Sequence, residues 1–222
     1  MSGPEATSNP LGAGTVEERR ALILQTAARH FEEKGYAGTS VDDIARELGV
    51  TKAAVYHYWG SKEELLTEIQ DRALALLREK LDRLDDEESP YETHLEATVA
   101  AYIDAVLENT SFVSVLLGDF VSSERTREKQ RAFRQRCREA IEAEIAAGNV
   151  RDFDPEALTL AIVGLCSTIA TWYEPGGRLS REEVKEIYLE LVARGILPLA
   201  EGTTRANRTA ARPGQELPRT SE

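Results

Sequence analysis

The sequence has few of the residues and patterns that catalysis, metal binding or secretion usually require. Its two cysteines, Cys137 and Cys166, are too far apart in the chain to form a metal or redox motif, which is typical of a reduced cytoplasmic protein. The three histidines, His30, His57 and His94, form no His-x-x-x-His pair, and no Gly-x-Ser-x-Gly motif or phosphate-cradling loop occurs. These absences argue against an enzyme and predict neither a metal site nor a resident cofactor.

Secretion and membrane signals are missing as well. Residues 1–14 contain neither the basic region nor the apolar region of a signal peptide. The longest apolar stretch, residues 158–173, is short and contains Thr and Ser, so we expect a buried helix rather than a membrane span. Alternating β-branched runs are also scarce, whereas Ala, Leu, Glu and Arg dominate. The predicted fold is therefore all-α.

Basic residues are fewer than acidic ones, and the formal net charge is −12. That balance argues against a protein that coats nucleic acid nonspecifically. Between Thr15 and Lys62, however, basic and acidic residues are equal in number, so nearly all of the excess acid lies further along the chain. A neutral segment of this kind can bind DNA if its cations share one face and the acidic remainder is turned away from phosphate.

Helix caps and apolar spacing divide the chain into four parts. The Gly-, Pro- and Ser-rich arm, residues 1–14, and the polar tail, residues 200–222, are expected to be disordered. Residues 15–62 are predicted to form three helices, at about 16–34, 40–48 and 51–58, with Gly35 and Gly49 as stops. Residues 63–199 are predicted to form a larger helical effector-binding and dimerisation domain. Its predicted helices begin at Ser61 and then cover about 90–109, 112–120, 123–147, 154–173 and 180–194.

The second and third helices, joined by Leu48-Gly49-Val50, have the arrangement of a helix-turn-helix whose second member enters the major groove. Residues near the start of that helix would approach base edges: Thr51, Lys52, Ala53 and Ala54. Side chains around them would hold phosphates, with His57 at the edge: Thr39, Ser40, Tyr56, Tyr58 and Lys62. Val55 and Trp59, four apart, are predicted to pack inward on Ile44 and Leu48. The alternative is an ordinary helical corner with half-buried rings.

Residues 21–69 resemble the DNA-binding head of TetR-type transcriptional regulators. The stretch ILQTAARHFEEKGYAGTSVDDIARELGVTKAAVYHYWGSKEELL carries the Ala-Ala-x-x-Phe-x-x-x-Gly-Tyr pattern, Thr39-Ser40, Leu48-Gly49-Val50 and the block from Tyr56 to Leu65. Trp59 stands where the family more often has Phe. The resemblance implies a homodimer of helical subunits that binds a palindromic operator, usually as a repressor that a small molecule releases. It also implies the base and phosphate contacts given above.

A second segment, TWYEPGGRLSREEVKEIYLELVARGI at residues 171–196, resembles the end of a TetR subgroup that includes regulators of fatty-acid and steroid catabolism. Several members of that subgroup respond to acyl-CoA thioesters, which implies an apolar or acyl-CoA-like effector. The candidate effector-binding residues are Tyr102, Phe112, Leu116, Phe120, Phe133, Cys166, Ile169 and Trp172. Arg131 and Arg134 are candidate phosphate ligands, because guanidinium matches phosphate bidentately. The alternatives are plain core for the apolar residues and a solvated helix face for the arginines.

The family resemblance further implies a homodimer interface formed by the last two helices, 154–173 and 180–194. Two other functions stay open on the sequence alone. One is a helical protein-interaction scaffold without specific DNA binding, and the other is an enzyme. DNA binding that weakens steeply with salt separates a regulator from a scaffold, because released counterions drive association with DNA.

Overall fold

The computed structural model describes residues 14–85, 91, 93–118 and 122–196, and every regular element among them is helical. The predicted arm 1–14, apart from Gly14, and the predicted tail 200–222 lie outside the described residues. The α-helices in chain order are α1 (Val16–Gly38), α2 (Val41–Glu47), α3 (Lys52–Tyr58), α4 (Lys62–Asp82), α5 (His94–Glu108), α6 (Thr110–Leu117), α7 (Glu124–Ala146), α8 (Pro155–Ser167), α9 (Ile169–Trp172) and α10 (Arg181–Ile196). A short 3-10 turn, Arg83–Asp85, follows α4.

Caps predicted from the sequence define the first helices. Ser40 and Asp43 form a reciprocal capping box at the start of α2, and the Thr51 side chain accepts a hydrogen bond from the Ala54 N–H at the start of α3. Gly35 has φ 72° and breaks the helical path of α1 where the sequence predicted a stop. Gly49 has φ 63°, a backbone conformation that favours glycine, and it separates the two short helices of the helix-turn-helix.

The three-helix head closes around one apolar cluster. Val55 of α3 and Trp59, which directly follows α3, are buried in a cluster that includes Phe31, Ile44 and Leu48, as the spacing predicted. Burying each large apolar side chain contributes roughly 1.5–3 kcal/mol, so these anchors fix α3 against the head. The first turns of α4 complete the same cluster through Leu65, Leu66 and Ile69.

The larger helical part, called the body from here on, differs from prediction at three helix boundaries. The helix expected from Pro90 begins at His94, because Thr93 and Glu96 form a capping box there; Pro90 itself lies outside the described residues. The helix predicted at 154–173 is broken at Thr168, whose hydroxyl donates to the Leu165 carbonyl. The segment predicted at 112–120 forms α6, which bends 99° away from α5, and residues 119–121 lie outside the described residues.

The other predicted helix ends of the body are confirmed. Ser123 caps α7, and Gly148 follows its end with φ 78°. Asp154 caps α8 with Pro155 in the first position. Ser180 and Glu183 make the expected reciprocal pair of hydrogen bonds at the start of α10. Leu74 and Leu77 of α4 pack in the body core together with α5, α7, α8, α9 and α10.

The apolar stretch of α8 and α9 is less buried than its composition predicts. By length and hydropathy, residues 155–172 could cross a membrane, and α5 with α6 would qualify only as a sharply bent pair. This corrects the expectation that the stretch is too short and too polar to span. Within the described subunit, Leu158, Ile162 and Cys166 face the core, whereas Leu160 and Leu165 are exposed.

Candidate DNA-binding surface and effector groove

The start of α3 is open to solvent. Thr51, Lys52 and Ala53 are exposed and Ala54 is half-buried, while Val55 beneath them is buried. Further along, Tyr56 and His57 are exposed and Tyr58 is half-buried. The aromatic run therefore divides, with Trp59 in the core and the other rings at the surface. A backbone of small residues flanked by exposed rings and one lysine is a surface that can approach a DNA groove.

Lys52, the one formal cation of α3, has a partner in the head. Its Nζ donates to Asp42 Oδ2 at 2.7 Å and lies 6.0 Å from the centroid of the Tyr56 ring. The hydrogen bond to Asp42 raises the pKa of the Lys52 ammonium. The pair is exposed on both sides, so solvent screens it and it can exchange partners when an anion approaches.

Thr39 and Ser40, predicted as phosphate contacts, have different surroundings. Thr39 is 2% exposed, and its hydroxyl donates to the carbonyls of His30 and Gly35 at 2.9 and 3.0 Å. The Thr39 hydroxyl is therefore used inside the head, where it bonds two carbonyls of α1, and its predicted contact with phosphate stays a prediction. Ser40 is exposed and caps α2, with its hydroxyl 2.6 Å from Asp43 Oδ2.

Lys62 is held at the end of α1. Its ammonium donates to the Tyr36 carbonyl and lies 4.0 Å from the centroid of the Tyr36 ring. Partial burial lowers the pKa of Lys62, and burial is also the main cause of a raised pKa at Tyr36. Tyr36 was part of the family pattern in the sequence but had no role assigned, so the structure adds it to the residues at this edge of the head.

A groove of about 550 Å³ runs between α4 and α7 and is called the α4–α7 groove. Its floor is apolar and its rim is charged; the lining residues are Asp71, Leu74, Ala75, Arg78, Asp82, Lys129, Ala132, Phe133 and Arg136. Of the apolar residues predicted to bind an effector, Phe133 lies directly in this groove. Tyr102 stands behind it, with ring centroids 5.9 Å apart.

Two carboxylates of α4 pair with the rim cations of α7. Asp71, whose side chain is 13% exposed, accepts hydrogen bonds from Lys129 and from the buried hydroxyl of Thr126, and Arg125 lies 3.7 Å away. Asp82 pairs with Arg136 and lies 3.6 Å from Arg78. The cations of the groove are therefore already engaged, and an anionic ligand would compete with Asp71 and Asp82 for them.

Arg131 and Arg134, the predicted phosphate ligands, do not line the groove. Both are exposed, and Arg131 pairs with Glu124 at 2.8 Å. Helix periodicity explains the difference, since residues four before and three after Phe133 share its face, whereas residues two before and one after do not. The same period, applied to the sequence, would have selected Lys129 and Arg136.

The remaining predicted effector residues scatter over three places. Phe112 packs on the head cluster, whereas Leu116 is half-buried against the body core. Phe120 lies outside the described residues. Cys166 and Ile169 are fully buried, and Trp172 is exposed with its indole N–H 3.2 Å from the Tyr188 hydroxyl. Among the described residues, these side chains do not line one common pocket with Phe133, and their role in effector binding stays a prediction.

A small apolar cavity lies near Tyr102 in the body core. An apolar void of about 30 Å³ is lined by residues that include Leu81, Tyr102, Cys137 and Ile162. The Tyr102 hydroxyl lies 2.7 Å from Ser167 Oγ, and burial raises the pKa of Tyr102. Burial also raises the pKa of the thiols, to about 11 for Cys137 and about 12 for Cys166. Thiols of this kind are inert packing groups.

The described residues contain no group of three or more His, Cys, Asp or Glu side chains that could hold a metal ion. One feature of the body is the α4–α7 groove. A second feature of the body is a set of exposed apolar side chains on α8, α9 and α10, together called the α8–α10 face. It consists of Leu160, Leu165, Trp172, Ile187 and Leu191.

The second helix of the helix-turn-helix, α3, is open to solvent and is called the reader helix. The helix-turn-helix is joined through α4 to a helical body with a groove. This arrangement defines a DNA-binding transcriptional regulator. Residues 23–69 match the family described as "Bacterial regulatory proteins, tetR family", and residues 88–196 match "Tetracyclin repressor-like, C-terminal domain". The chain belongs to the TetR family of transcriptional regulators. The sequence prediction of fold class, DNA-binding regulator and absence of enzymatic function is confirmed by this membership.

Individual relatives are similar over most of their length. The chain is 30% identical over 208 residues to the HTH-type transcriptional repressor KstR2 of Mycolicibacterium smegmatis, covering 87% of this chain and 95% of the relative. The structure of the ketosteroid transcriptional regulator KstR2 of Mycobacterium tuberculosis has a TM-score of 0.72 and 26% identity, covering 84% and 99%. AibR in complex with isovaleryl coenzyme A and operator DNA has a TM-score of 0.68 and 29% identity, covering 79% and 97%.

Proposed function

We propose that the chain is a homodimeric repressor that leaves a palindromic operator when an apolar or acyl-CoA-like effector enters the α4–α7 groove. The observation that carries the proposal is that α4 packs in both the head cluster and the body core. Its first turns pack in the head cluster through Leu65, Leu66 and Ile69, and its later turns pack in the body core through Leu74 and Leu77. A ligand that shifts α4 at the groove therefore moves the head as well.

The proposed DNA contacts follow from exposure. Thr51, Lys52, Ala53 and Ala54 would approach base edges, and Ser40, Tyr56, Tyr58 and Lys62 would contact phosphates, with His57 at the edge. For Lys62 this requires exchanging its hydrogen bond to the Tyr36 carbonyl for a phosphate oxygen. Thr39 is left out, since its hydroxyl is used inside the head.

The proposed effector is an apolar group that carries an anion. Leu74, Ala75 and Phe133 supply an apolar floor, and Lys129 and Arg136 supply cations at the rim. Support comes from AibR, a structural neighbour described in complex with isovaleryl coenzyme A and operator DNA. KstR2, the other relative, is described as a ketosteroid regulator, which also favours an apolar ligand. We therefore place the acyl part on the floor and the phosphates near Lys129 and Arg136.

The release step we propose runs through Asp71. This carboxylate ties α4 to α7 through Lys129 and Thr126, near the middle of α4 between its head and body contacts. A phosphate that takes Lys129 removes one of those ties. Because Asp71 is mostly shielded from solvent, losing a charge-assisted partner is costly enough to favour a new position of α4.

The proposed dimer uses the α8–α10 face. Five large apolar side chains are exposed there, and exposed apolar surface of this kind marks an interface. A second subunit packing on this face would give the four-helix arrangement expected from 154–173 and 180–194. It would also cover the apolar stretch 155–172, which supports a cytoplasmic protein rather than one bound to a membrane. Two reader helices related by a two-fold axis would then meet half-sites about one helical turn of DNA apart.

A mobility shift on the DNA upstream of the gene for this chain tests the proposal. We expect a complex that weakens steeply with salt and dissociates with a long-chain acyl-CoA, with free CoA as the control. If no shift occurs, selection of binders from random DNA decides whether the chain reads another sequence. A complex that acyl-CoA leaves intact would refute the effector class and keep the DNA-binding function.

A further inference from the structure

The four charged residues of α2 have partners in different parts of the head. Asp43 and Arg46 pair with each other at 3.0 Å, and Asp43 also caps the helix with Ser40. Glu47 faces α1, where it binds Arg29 and lies 2.7 Å from His30 Nε2. Asp42 alone among them is directed to α3, at 2.7 Å from the Lys52 ammonium. An acidic side chain therefore lies beside the one formal cation of the reader helix.

Asp42 lies in the first turn of α2, where a carboxylate favours the helix, but that position does not require the contact with Lys52, and the contact does not aid general DNA affinity. Both side chains of the pair are about half exposed, and an exposed ion pair contributes little to folding. Near DNA, a carboxylate repels phosphate and neutralises the lysine that would attract it. A residue that weakens general binding at the reading surface is expected where it adds discrimination between sequences.

The chemistry of the major groove specifies what such a pair can read. A carboxylate only accepts hydrogen bonds, and the exposed donors there are the amino groups of cytosine and adenine. A lysine only donates, and its best acceptors are O6 and N7 of guanine. A G·C base pair shows guanine acceptors and a cytosine amino donor side by side. At this edge the ammonium can donate to both neighbouring guanine acceptors while the carboxylate accepts from the cytosine amino group. At an A·T pair the amino group lies between the two acceptors, so the ammonium reaches only one of them.

We propose that Asp42 and Lys52 act as one unit that reads a G·C base pair in each half-site, with Lys52 donating to guanine and Asp42 accepting from the cytosine amino group. This inference rests on the proposed placement of α3 in the major groove. Tyr56, whose ring lies 6.0 Å from the Lys52 ammonium, limits the directions in which Lys52 can swing once Asp42 holds it.

The test begins with selection of operators from random DNA by the full-length chain. Affinities are then measured for the selected operator and for every single base-pair change in one half-site. The proteins compared are wild type, Asp42→Ala, Asp42→Asn and Lys52→Met. Glu33→Gln is the matched control, because it removes an exposed charge that pairs with Arg29 of the same helix, α1. Circular dichroism melting checks that each variant is folded.

For wild type we expect one G·C pair whose replacement weakens binding roughly 5- to 150-fold, the range of a single good base contact. Asp42→Ala should flatten the preference at that pair alone, and Lys52→Met should do the same. Asp42→Asn should move the preference towards A·T, since an amide pairs with adenine N6 and N7. Glu33→Gln should keep the wild-type pattern.

Two results separate the inference from the function on which it rests. If wild type selects a sequence and Asp42→Ala keeps the same base preferences at every position, the inference is overturned and the regulator stands. If wild type selects no sequence, the proposed DNA-binding surface itself fails.

Discussion

Lys129 and Arg131 stand two residues apart on α7 and face different surroundings. Lys129 lies on the rim of the α4–α7 groove beside Asp71, whereas Arg131 is exposed and pairs with Glu124. We predict that Lys129→Met weakens the affinity for a long-chain acyl-CoA about tenfold, because a hydrogen bond to a charged group contributes roughly 1.5–3 kcal/mol and Asp71 competes for the same cation. Calorimetric titration measures the effect.

Arg131→Met is the matched control for that prediction. It removes a cation from the same helix but from a face that does not line the groove, so the affinity for acyl-CoA should stay within about twofold of wild type. Equal losses of acyl-CoA affinity in both variants would show that α7 attracts the ligand through its overall charge. The proposed phosphate contacts at the rim of the groove would then be wrong.

At the start of α2, Asp43 makes stability depend on pH. Its carboxylate accepts hydrogen bonds from the hydroxyl and the backbone N–H of Ser40, which hold its pKa at about 2. A carboxyl group with a folded pKa below its unfolded value of about 3.9 stabilises the folded state above that value. The contribution is lost as pH falls from about 4 towards 2. Asp43→Ala should therefore lower the urea midpoint more at pH 7 than at pH 3.

Wild type and Asp43→Ala are compared by urea unfolding at both pH values, with Asp152→Ala as a control at an exposed loop position. A gap between wild type and Asp43→Ala that stays constant with pH would mean that the ionised carboxylate contributes nothing to the cap.

Residue roles in the head were only partly readable from the sequence. The capping residues Ser40 and Thr51 were predictable, because a side chain that caps a helix acts on its near neighbours. Thr39 was not, since its burial depends on how α1 lies across α2. The same holds for the partners of Lys52 and Lys62, which are ten and twenty-six residues away in the chain.

Among the helices, α4 is the element on which the proposed coupling depends. It packs against the head cluster at one end and against the body core at the other, and the α4–α7 groove runs along the second part. A bulky side chain that fills this groove should block the effector while leaving α4 in place. The operator complex would then persist in the presence of ligand.

Ala132→Trp makes that change, because Ala132 is exposed and lines the groove. We predict operator affinity within about threefold of wild type and at least a tenfold higher acyl-CoA concentration for release, measured by fluorescence anisotropy of labelled operator. Ala143→Trp, at an exposed α7 position that does not line the groove, should behave like wild type. Normal release of the operator from Ala132→Trp would exclude this groove as the effector site.

At the scale of elements the sequence was informative wherever a helix end is set locally. Gly35, Gly49 and Gly148 all have positive φ where stops were predicted, and Ser123, Asp154 and Ser180 all cap helices. The break at Thr168 and the bend between α5 and α6 were missed. The angle between α5 and α6 is not contained in the spacing of apolar residues, which marks helices but not their directions. At Thr168 the apolar pattern continues through the break, and the hydrogen bond of the Thr168 hydroxyl to the Leu165 carbonyl was overlooked.

The whole molecule as proposed requires a second subunit. Leu191 is 57% exposed on the α8–α10 face, beside Ile187. We predict that Leu191→Glu shifts the mass at micromolar concentration from dimer to monomer, because two buried, unpaired carboxylates would lie at a two-fold interface. Light scattering measures the mass, and operator affinity should fall with it.

Val16→Glu is the control for that substitution. Val16 is exposed to a similar degree but lies at the start of α1, away from the α8–α10 face. A monomeric mass for wild type, or a dimeric mass for Leu191→Glu, would contradict the proposed interface.

The assembly of two subunits was predicted from the family resemblance more than from residue patterns. Trp172 shows why, since the sequence alone does not distinguish an aromatic ring in an effector pocket from one at a subunit interface. The structure places it on an exposed surface, stacked on Tyr188. Which apolar residues remain uncovered is a property of the assembled subunit.

The central claim is that the groove and the reader helix are coupled through α4, and reciprocal binding tests it most directly. The affinity for a long-chain acyl-CoA is measured by calorimetry on the free protein and on the protein saturated with its selected operator. Coupling between two sites must be equal in both directions, and is typically about 5- to 150-fold. The account predicts that operator weakens acyl-CoA binding by the same factor by which acyl-CoA weakens operator binding. Equal acyl-CoA affinity with and without operator would contradict it.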